Sequence, residues 1–248
     1  MRYAIEGVKE QDIKKQDTKK RELWRRLLDL LYPPKCPICE EPSKGFCPKC
    51  ALEAKYAGLL YQKDGKGQGS RSYEAVYAVF RYDFVASGVY HLKYEGKRDY
   101  GRTLGQLMWQ EAEEILRSWK IDCIVPVPLH AKRQKKRGFN QSQILAEAIS
   151  KGLGIPVFPE MVLRCRNTKP MKDLNALQRQ NNLKKAFKMG QNDVKLKTIL
   201  IVDDIYTTGA TTDEISRLLL EAGAAKVYVL TLGSDAEDGS ALQQGGYL

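Results

Sequence analysis

Two adjacent carboxylates followed by a threonine-glycine turn carry the strongest chemical signal in this sequence. The segment LIVDDIYTTGATTDEIS, residues 200–216, runs from an apolar stretch through Asp203 and Asp204 into TTGA and then into a helical pattern. The spacing of Thr211 and Glu214 predicts a capping box, so we expect the helix to begin near Thr211. The turn then aims backbone amides and threonine hydroxyls at one point in front of a helix amino terminus, which suits a phosphate.

The two acids suit a different part of the same ligand. Carboxylates accept hydrogen bonds from hydroxyls or help to hold a metal ion, so acids beside a phosphate cradle indicate a phosphorylated sugar. A generic β-α turn with solvated or capping acids is the alternative. No lysine follows the glycine as in a Walker A motif, and no G-x-G-x-x-G follows a predicted strand. The predicted cradle consists of Thr207, Thr208, Gly209, Ala210 and Thr211.

Four cysteines near the beginning of the sequence have the spacing of metal ligands. Cys36, Cys39, Cys47 and Cys50 form C-x2-C-x7-C-x2-C, and two tight turns of this kind present four thiolates to one tetrahedral ion. The predicted occupant is zinc in a structural role, because no coordination position is left for water. The alternatives are an iron-sulfur cluster and two disulfides, the latter disfavoured in a reducing cytoplasm.

Basic residues follow another predicted strand, at the same edge of the sheet as the acids. The segment HAKRQKKRGFNQ, residues 130–141, includes Arg133 and Arg137, whose guanidinium groups would offset the charge of a pyrophosphate leaving group. A solvated charge run and a nucleic-acid contact surface are the alternatives. Lys93 lies in YHLKYEGKRDYG, residues 90–101, where tyrosines alternate with bases, a pattern that suits stacking on unpaired nucleotides as well as plain packing. We therefore assign Arg133, Arg137 and Lys93 to contact with pyrophosphate or DNA.

A third basic segment, residues 164–187, surrounds a proline and has little apolar content before Leu174. Three interpretations remain open for it. It is a mobile loop that closes over a ligand, a disordered surface loop, or part of a channel for single-stranded DNA.

Strand and helix patterns alternate over most of the chain. Strand patterns cover residues 73–82, 121–130, 197–204 and 226–233, and helical periodicity covers residues 101–119, 141–154 and 211–224. This alternation predicts an α/β fold with a parallel sheet flanked by helices. The predicted organisation is a basic arm with an amphipathic helix (1–34), a zinc-ribbon-like module (35–52), a linker (53–72), the α/β domain (73–233) and a polar tail (234–248).

The net charge and the hydropathy pattern restrict the partners. A formal charge of +11 over 248 residues attracts polyanions such as nucleic acid or phosphorylated sugars. No run of 18 apolar residues is free of charge, so we expect no membrane span, and the opening residues lack the apolar region of a secretory signal. These patterns predict a cytoplasmic protein.

The segment 199–211 resembles the signature of the type I phosphoribosyltransferases, in which apolar residues and two acids precede a T-G-x-T turn. The resemblance implies that Asp203 and Asp204 hold the ribose hydroxyls of phosphoribosyl pyrophosphate (PRPP). It also implies that the turn from Thr207 to Thr211 holds the 5'-phosphate and that Mg²⁺ accompanies the pyrophosphate. Purine-salvage members commonly have an acidic general base where this chain has Thr207, so the resemblance assigns no catalytic residue here.

The cysteines, VPVPLHAKRQKK followed by RGFNQSQILAEAI, and NNLKKAF before the acidic turn together resemble the ComF family. The resemblance implies a phosphoribosyltransferase-like domain joined to a zinc module, and a role in DNA uptake during natural transformation. Single-stranded DNA and a competence helicase or other DNA-uptake proteins are the implied partners. Two functions follow as hypotheses: an enzyme that transfers or hydrolyses the phosphoribosyl group of PRPP, or a non-catalytic single-stranded DNA-binding factor for which PRPP is a regulatory or structural ligand.

Overall fold

The computed structural model of the chain describes residues 33–63, 71–165, 186–190, 194–195 and 197–235. The predictions for the N-terminal arm and helix, for most of the basic segment 164–187 and for nearly all of the polar tail lie outside these residues.

A five-stranded sheet forms the centre of the described fold, in the order β1-β2-β7-β6-β3. Strands β2, β7, β6 and β3 are parallel, and β1 pairs with β2 in the antiparallel sense. A separate antiparallel pair is formed by β4 and β5. The strands are β1 (Tyr56–Gln62), β2 (Ala75–Arg81), β3 (Cys123–Pro126), β4 (Val162–Arg164), β5 (Phe187–Met189), β6 (Thr198–Tyr206) and β7 (Lys226–Ser234).

Helices lie on both faces of the sheet, which confirms the predicted α/β class. The helices are α1 (Pro48–Leu52), α2 (Tyr82–Tyr94), α3 (Arg98–Ser118), α4 (Ala131–Arg137), α5 (Gln141–Leu153) and α6 (Ala210–Glu221).

The central strand β6 shows why the sheet must be covered on both sides. Ile199 and Ile201 are buried in one apolar cluster together with side chains of α6. Leu200 and Val202 are buried in the other cluster, which includes residues of α2, α3 and α5. Since neighbouring side chains of a strand point to opposite faces, one continuous apolar run supplies both cores. Burial of each such side chain stabilises the fold by about 1.5–3 kcal/mol.

Two elements differ from the sequence prediction. The segment 53–72 was predicted as a linker, but residues 56–62 form β1 at the edge of the sheet. The alternation of apolar and polar residues that marks a strand is hidden in β1, because Gly58 has a φ of 85° and the register shifts between Leu59 and Tyr61. The helix α2 was not predicted either; Val85, Val89 and Leu92 bury one face of it, so tertiary packing outweighs the low helix propensity of its aromatic, β-branched and glycine residues.

Candidate functional site

A cavity of about 920 Å³ opens at the carboxyl edge of the parallel strands. This is the edge at which open α/β proteins bind ligands. Residues from the ends of α2, β3, α4 and β6 and from the beginning of α6 surround it. The structure brings all of the residues that the sequence analysis assigned to a sugar phosphate, a pyrophosphate or DNA to this one cavity: Asp203, Asp204, Thr207, Thr208, Gly209, Ala210, Thr211, Arg133, Arg137 and Lys93.

The acids lie in the part of β6 that extends beyond the end of its neighbour β3. The pairing of these strands ends at Pro126 with Val202, whereas β6 continues to Tyr206 along β7. Asp203 Oδ1 accepts hydrogen bonds from Ser142 Oγ and from the Asp204 amide, each at 2.9 Å. Asp204 Oδ1 accepts one from the Ile205 amide at 2.9 Å. Both carboxylates are therefore held in fixed orientations beside the cavity.

The two acids differ in their electrostatic surroundings. Burial raises the pKa of Asp203 to about 7, and the adjacent Asp204 charge adds to this, while the Asp204 amide, Lys93 and Ser142 oppose it. Asp204, only 5% exposed, instead faces a cation, because Lys93 Nζ lies 2.5 Å from its Oδ2. Burial alone would lower the pKa of Lys93, but the charge and hydrogen bond of Asp204 together with the charge of Asp203 outweigh it and raise that pKa. Lys93 was assigned to pyrophosphate or DNA, and in this structure its charge is directed at Asp204.

The turn after β6 has the features of an anion-binding loop. Gly209 has a φ of 72°, and α6 begins at Ala210. Within the described part of the chain, no atom accepts a hydrogen bond from the amides of Thr208 to Thr211. These amides stand at a helix amino terminus that lines the cavity, so they are placed to bind an anion.

The expected capping box of Thr211 and Glu214 is not formed. Gly209 is the residue before the helix, and no side chain caps it. Glu214 instead pairs with Arg217 at 2.8 Å, and Thr212 Oγ1 donates to the Gly209 carbonyl at 2.9 Å. Because the helix begins one residue earlier than expected, Thr211 lies within it and cannot act as its cap.

Residues that are far from this loop in the sequence hold it in place. Arg71 donates to the Thr208 carbonyl at 2.8 Å, and the hydroxyls of Tyr73 and Tyr206 lie 2.8 Å apart. A Cβ at Gly209 would lie only 2.5 Å from Tyr206 Oη. A side chain therefore cannot replace this glycine without moving the tyrosine pair.

The basic segment after β3 forms the short helix α4. His130 begins it by accepting a hydrogen bond from the Lys132 amide at 3.2 Å. Helical periodicity directs Arg133, Lys136 and Arg137 to the cavity, whereas Lys132 and Lys135 are exposed elsewhere. Arg164, at the end of β4, also lines the cavity; burial lowers the pKa values of Arg137 and Arg164, which indicates positive charge held in a partly desolvated place.

The four cysteines of the N-terminal module converge on one point. Their sulfur atoms all lie within 4.8 Å of one another, and those of Cys39 and Cys47 are 3.5 Å apart. A tetrahedral zinc site with bonds of about 2.3 Å places its sulfurs about 3.8 Å apart, so the set fits this ion. All six cysteines of the chain are free, so no disulfide removes a thiol from this set.

Comparison with known proteins identifies the relatives of this chain. Residues 105–243 match the phosphoribosyl transferase domain model. The chain is 30% identical over 202 residues to competence protein F of Haemophilus influenzae, a match that covers 78% of this chain and 87% of the relative. It is 34% identical over 208 residues to DNA utilization protein YhgH of Escherichia coli, covering 79% and 88%. The chain belongs to the ComF family.

A solved structure, the glutamine PRPP amidotransferase of B. subtilis, is also similar to this ComF-family chain. The identity is 22%, the TM-score is 0.36, and the match covers 53% of this chain and 25% of the amidotransferase. In the described residues of the ComF-family chain, none of the helices is long and apolar enough to cross a membrane.

Several residues of the cleft in this ComF-family protein were missed by sequence reasoning. Ser142 holds Asp203, Arg71 and Tyr73 support the loop, and the partner of Lys93 was not foreseen. Ser142 follows Asn140, whose side chain accepts from the Ser142 amide and donates to the Val127 carbonyl at 3.0 Å. The sequence RGFNQS gives a turn signal for the capping asparagine, but nothing in it signals a contact across 61 residues.

Proposed function

We propose that this ComF-family protein binds PRPP in the cleft at the carboxyl edge of its sheet and acts in DNA uptake. The observation that carries the proposal is the juxtaposition of loop amides, which have no acceptor among the described residues, and two fixed carboxylates around one cavity of about 920 Å³. A phosphate needs the first and a vicinal diol needs the second, and the phosphoribosyl group of PRPP presents both.

The 5'-phosphate of PRPP is bound by the loop from Thr207 to Thr211. Its amides donate to the phosphate oxygens at the amino terminus of α6, where the helix dipole adds a favourable term. Gly209 makes the turn possible because a φ of 72° is strained for residues with a side chain.

The ribose hydroxyls are oriented by Asp203 and Asp204. Each carboxylate already accepts a backbone amide, which leaves further lone pairs for the sugar. Fixing the diol and the 5'-phosphate together orients the anomeric carbon, and such positioning is a large part of catalysis in group-transfer reactions.

The pyrophosphate lies toward α4 and Arg164. Arg133, Lys136 and Arg137 approach the cavity from α4, and their donors offset the charge that grows on pyrophosphate as its bond to the anomeric carbon breaks. The electron pair of that bond leaves with the pyrophosphate, and an acceptor or water then adds to the oxocarbenium-like carbon. No general base is assigned to a residue of the cleft.

The metal ions have separate places in this proposal. Mg²⁺ enters with the pyrophosphate, because the Lys93 ammonium already lies 2.5 Å from Asp204 Oδ2 where a cation at the acids would bind. Its chemistry is to neutralise charge on the phosphate oxygens. Cys36, Cys39, Cys47 and Cys50 would hold zinc as a structural ion, since four thiolates would leave no coordination position for water.

The role in DNA uptake is supported by the names of the relatives, competence protein F and DNA utilization protein. A specific surface favours single-stranded DNA as a second ligand. Tyr90 and Tyr94 of α2 are 54% and 71% exposed, with ring centroids 5.1 Å apart, and Tyr94 also lines the cleft. Such rings suit base stacking. Tyr100, grouped with Tyr94 in the sequence analysis, is buried and donates to Glu40 instead.

One experiment separates the enzyme from the non-catalytic DNA-binding factor. The protein is incubated with PRPP and Mg²⁺, alone and with a panel of nucleobases and oligonucleotides, while released pyrophosphate is measured. The enzyme hypothesis predicts release that is abolished in Asp203→Asn/Asp204→Asn. Binding of PRPP without release, together with salt-dependent binding of oligonucleotides that the double variant retains, would support the DNA-binding factor.

A further inference from the structure

The helix α2 lies between the cysteine module and the acid pair and contacts both. Its Lys93 forms the ion pair with Asp204 at 2.5 Å, whereas its earlier residues face the loop that carries Cys36 and Cys39. No contact of the cysteines with the cleft is needed for one site to influence the other. The question is what fixes the position of Lys93.

The contacts between α2 and the module are close and specific. Ser87 Oγ donates to the Ile38 carbonyl at 2.6 Å. A Cβ at Gly88 would lie 2.9 Å from the Pro37 carbonyl oxygen, so the helix and the loop approach as closely as a glycine permits. The ring of Phe84 meets that of Phe46 edge to face, with centroids 5.3 Å apart.

A second set of contacts holds the chain just after α2. Glu40, which follows Cys39, accepts hydrogen bonds from Lys97 and from the Tyr100 hydroxyl. Lys97 also pairs with Glu95 at 2.9 Å, and Glu95 with His91 at 2.8 Å. The module therefore supports both the middle of α2 and the segment that follows Lys93.

A neighbouring face of α2 is held by the core. Val85 and Val89 are buried in the cluster on one side of the sheet, and Leu92 is buried beside Gly101 of α3. The helix therefore has apolar contacts that do not involve the module, beside the contacts that it makes with the module.

We infer that Lys93 is a positioning residue through which the cysteine module controls the affinity of the cleft for its phosphorylated ligand. With the metal bound, the loop from Cys36 to Cys39 is rigid, α2 is fixed, and Lys93 neutralises Asp204. When the metal is lost, the loop loosens and Lys93 moves from the acid. The Asp204 carboxylate then faces an anionic ligand without its counter-charge, which weakens binding. The inference rests on the proposed binding of PRPP.

The main test is a comparison of metal-loaded and metal-stripped protein. The affinity for PRPP with Mg²⁺ is measured by calorimetry on the wild type, Lys93→Met and Lys93→Arg, each before and after removal of the thiolate-bound ion. We expect the wild type to lose about tenfold in affinity on stripping, within the usual range of coupling between sites. Lys93→Met should bind more weakly from the start and should change less than about twofold on stripping. Lys93→Arg keeps the charge and should retain most of the wild-type response.

Gly88→Ala tests the same link with the metal in place. Its methyl group pushes α2 away from Pro37, so it should lower PRPP affinity in the wild type and leave Lys93→Met unchanged. The inference would be overturned if Gly88→Ala lowered PRPP affinity equally with and without Lys93. It would also be overturned if removal of the metal from the wild type left PRPP affinity unchanged.

Hydrogen exchange keeps the test independent of PRPP. Stripping should speed the exchange of peptides within residues 82–94 while those of β6 and β7 stay protected, which also shows that the fold persists. Unchanged hydrogen exchange in α2 after stripping contradicts the inference, whether or not the protein binds PRPP. If the metal-loaded wild type binds no PRPP but α2 responds to stripping, the proposed function fails and the link between the module and α2 stands.

Discussion

The cysteine module and the sheet-edge cleft are built in opposite ways. The module takes its four candidate ligands from residues 36–50 and buries three of them. The cleft takes its residues from α2, α4, β6, α6 and the ends of other elements, and it stays open to solvent. A closed local set suits an ion that is bound once, whereas an open distributed set suits a ligand that must enter and leave.

The comparison also separates what each region contributes. Loss of a cysteine in the module should remove the metal site and the support that the module gives to α2. Loss of a residue in the cleft should act on ligand binding and leave the metal site intact. The following predictions test that separation, from the largest expected effect to the smallest.

Replacement of a buried thiolate should affect the module most strongly. We expect Cys50→Ser, which removes a residue only 3% exposed, to abolish zinc binding and to lower the free energy of unfolding by about 3 kcal/mol or more. Metal content by mass spectrometry and urea unfolding measure the two effects. Cys165→Ser is the matched control, because this exposed cysteine is outside the cluster. Full zinc content in Cys50→Ser would refute the four-thiolate site.

Gly209→Ala should affect the cleft through the phosphate loop. The new methyl group meets Tyr206 Oη at 2.5 Å, and the residue must also adopt a φ of 72°. Because the loop is strained and displaced, we expect the free energy of PRPP binding or of unfolding to fall in magnitude by about 2–3 kcal/mol. Gly154→Ala is the control, since its φ is 74° and nothing lies within 4 Å of the added carbon. It should cost about 1 kcal/mol. Equal effects of the two substitutions would show that the tyrosine pair does not hold the loop.

The raised pKa of Asp203 predicts that stability depends on pH. At a pH between 4 and 7 the unfolded chain ionises this acid while the folded chain keeps it largely protonated at a pKa of about 7. The unfolded state then binds fewer protons, so stability falls as the pH rises, by up to about 1.4 kcal/mol per pH unit. Urea unfolding at pH 5, 6 and 7 should show this fall in the wild type relative to Asp203→Asn. Parallel profiles for the two proteins would contradict the shift.

The smallest effect is expected at the exposed tyrosines of α2. Tyr90→Ala should weaken binding of single-stranded oligonucleotides by about 1 kcal/mol, the lower end of the range for one stacked base. Tyr56→Ala is the control, because Tyr56 is 53% exposed but lies on the edge strand β1 at the far side of the sheet. Fluorescence anisotropy at fixed salt measures both. The same affinity in both variants would remove α2 from the DNA surface.

The sequence predicted most accurately the features whose residues lie close together in the chain. The spacing of Cys36 to Cys50 and the order of Asp203, Asp204 and the glycine turn each lie within one short segment, so their geometry follows from a turn or from a strand that leads into a helix. The ComF resemblance was confirmed by the relatives. The alternation of strands and helices likewise predicted the parallel sheet.

Contacts between distant segments were not predictable in this way. The pairs Lys93 with Asp204 and Arg71 with Thr208 join residues more than 100 positions apart, and no periodicity encodes them. The prediction of a capping box was wrong because Gly209, in its left-handed conformation, is the residue before the helix. Thr211 therefore lies inside the helix and cannot cap it. The missed β1 and α2 depend on a bulge and on burial, both of which arise only in the folded state.

Calorimetric titration of PRPP with Mg²⁺ into the wild type and into Asp203→Asn/Asp204→Asn tests the central claim most directly. The claim predicts one site per chain in the wild type and a loss of at least about 100-fold in the double variant, because removal of charged hydrogen-bond acceptors from a ligand costs about 1.5–3 kcal/mol each. Zinc content should stay near that of the wild type. No heat of binding in the metal-loaded wild type, or equal affinity in the two proteins, would contradict the claim.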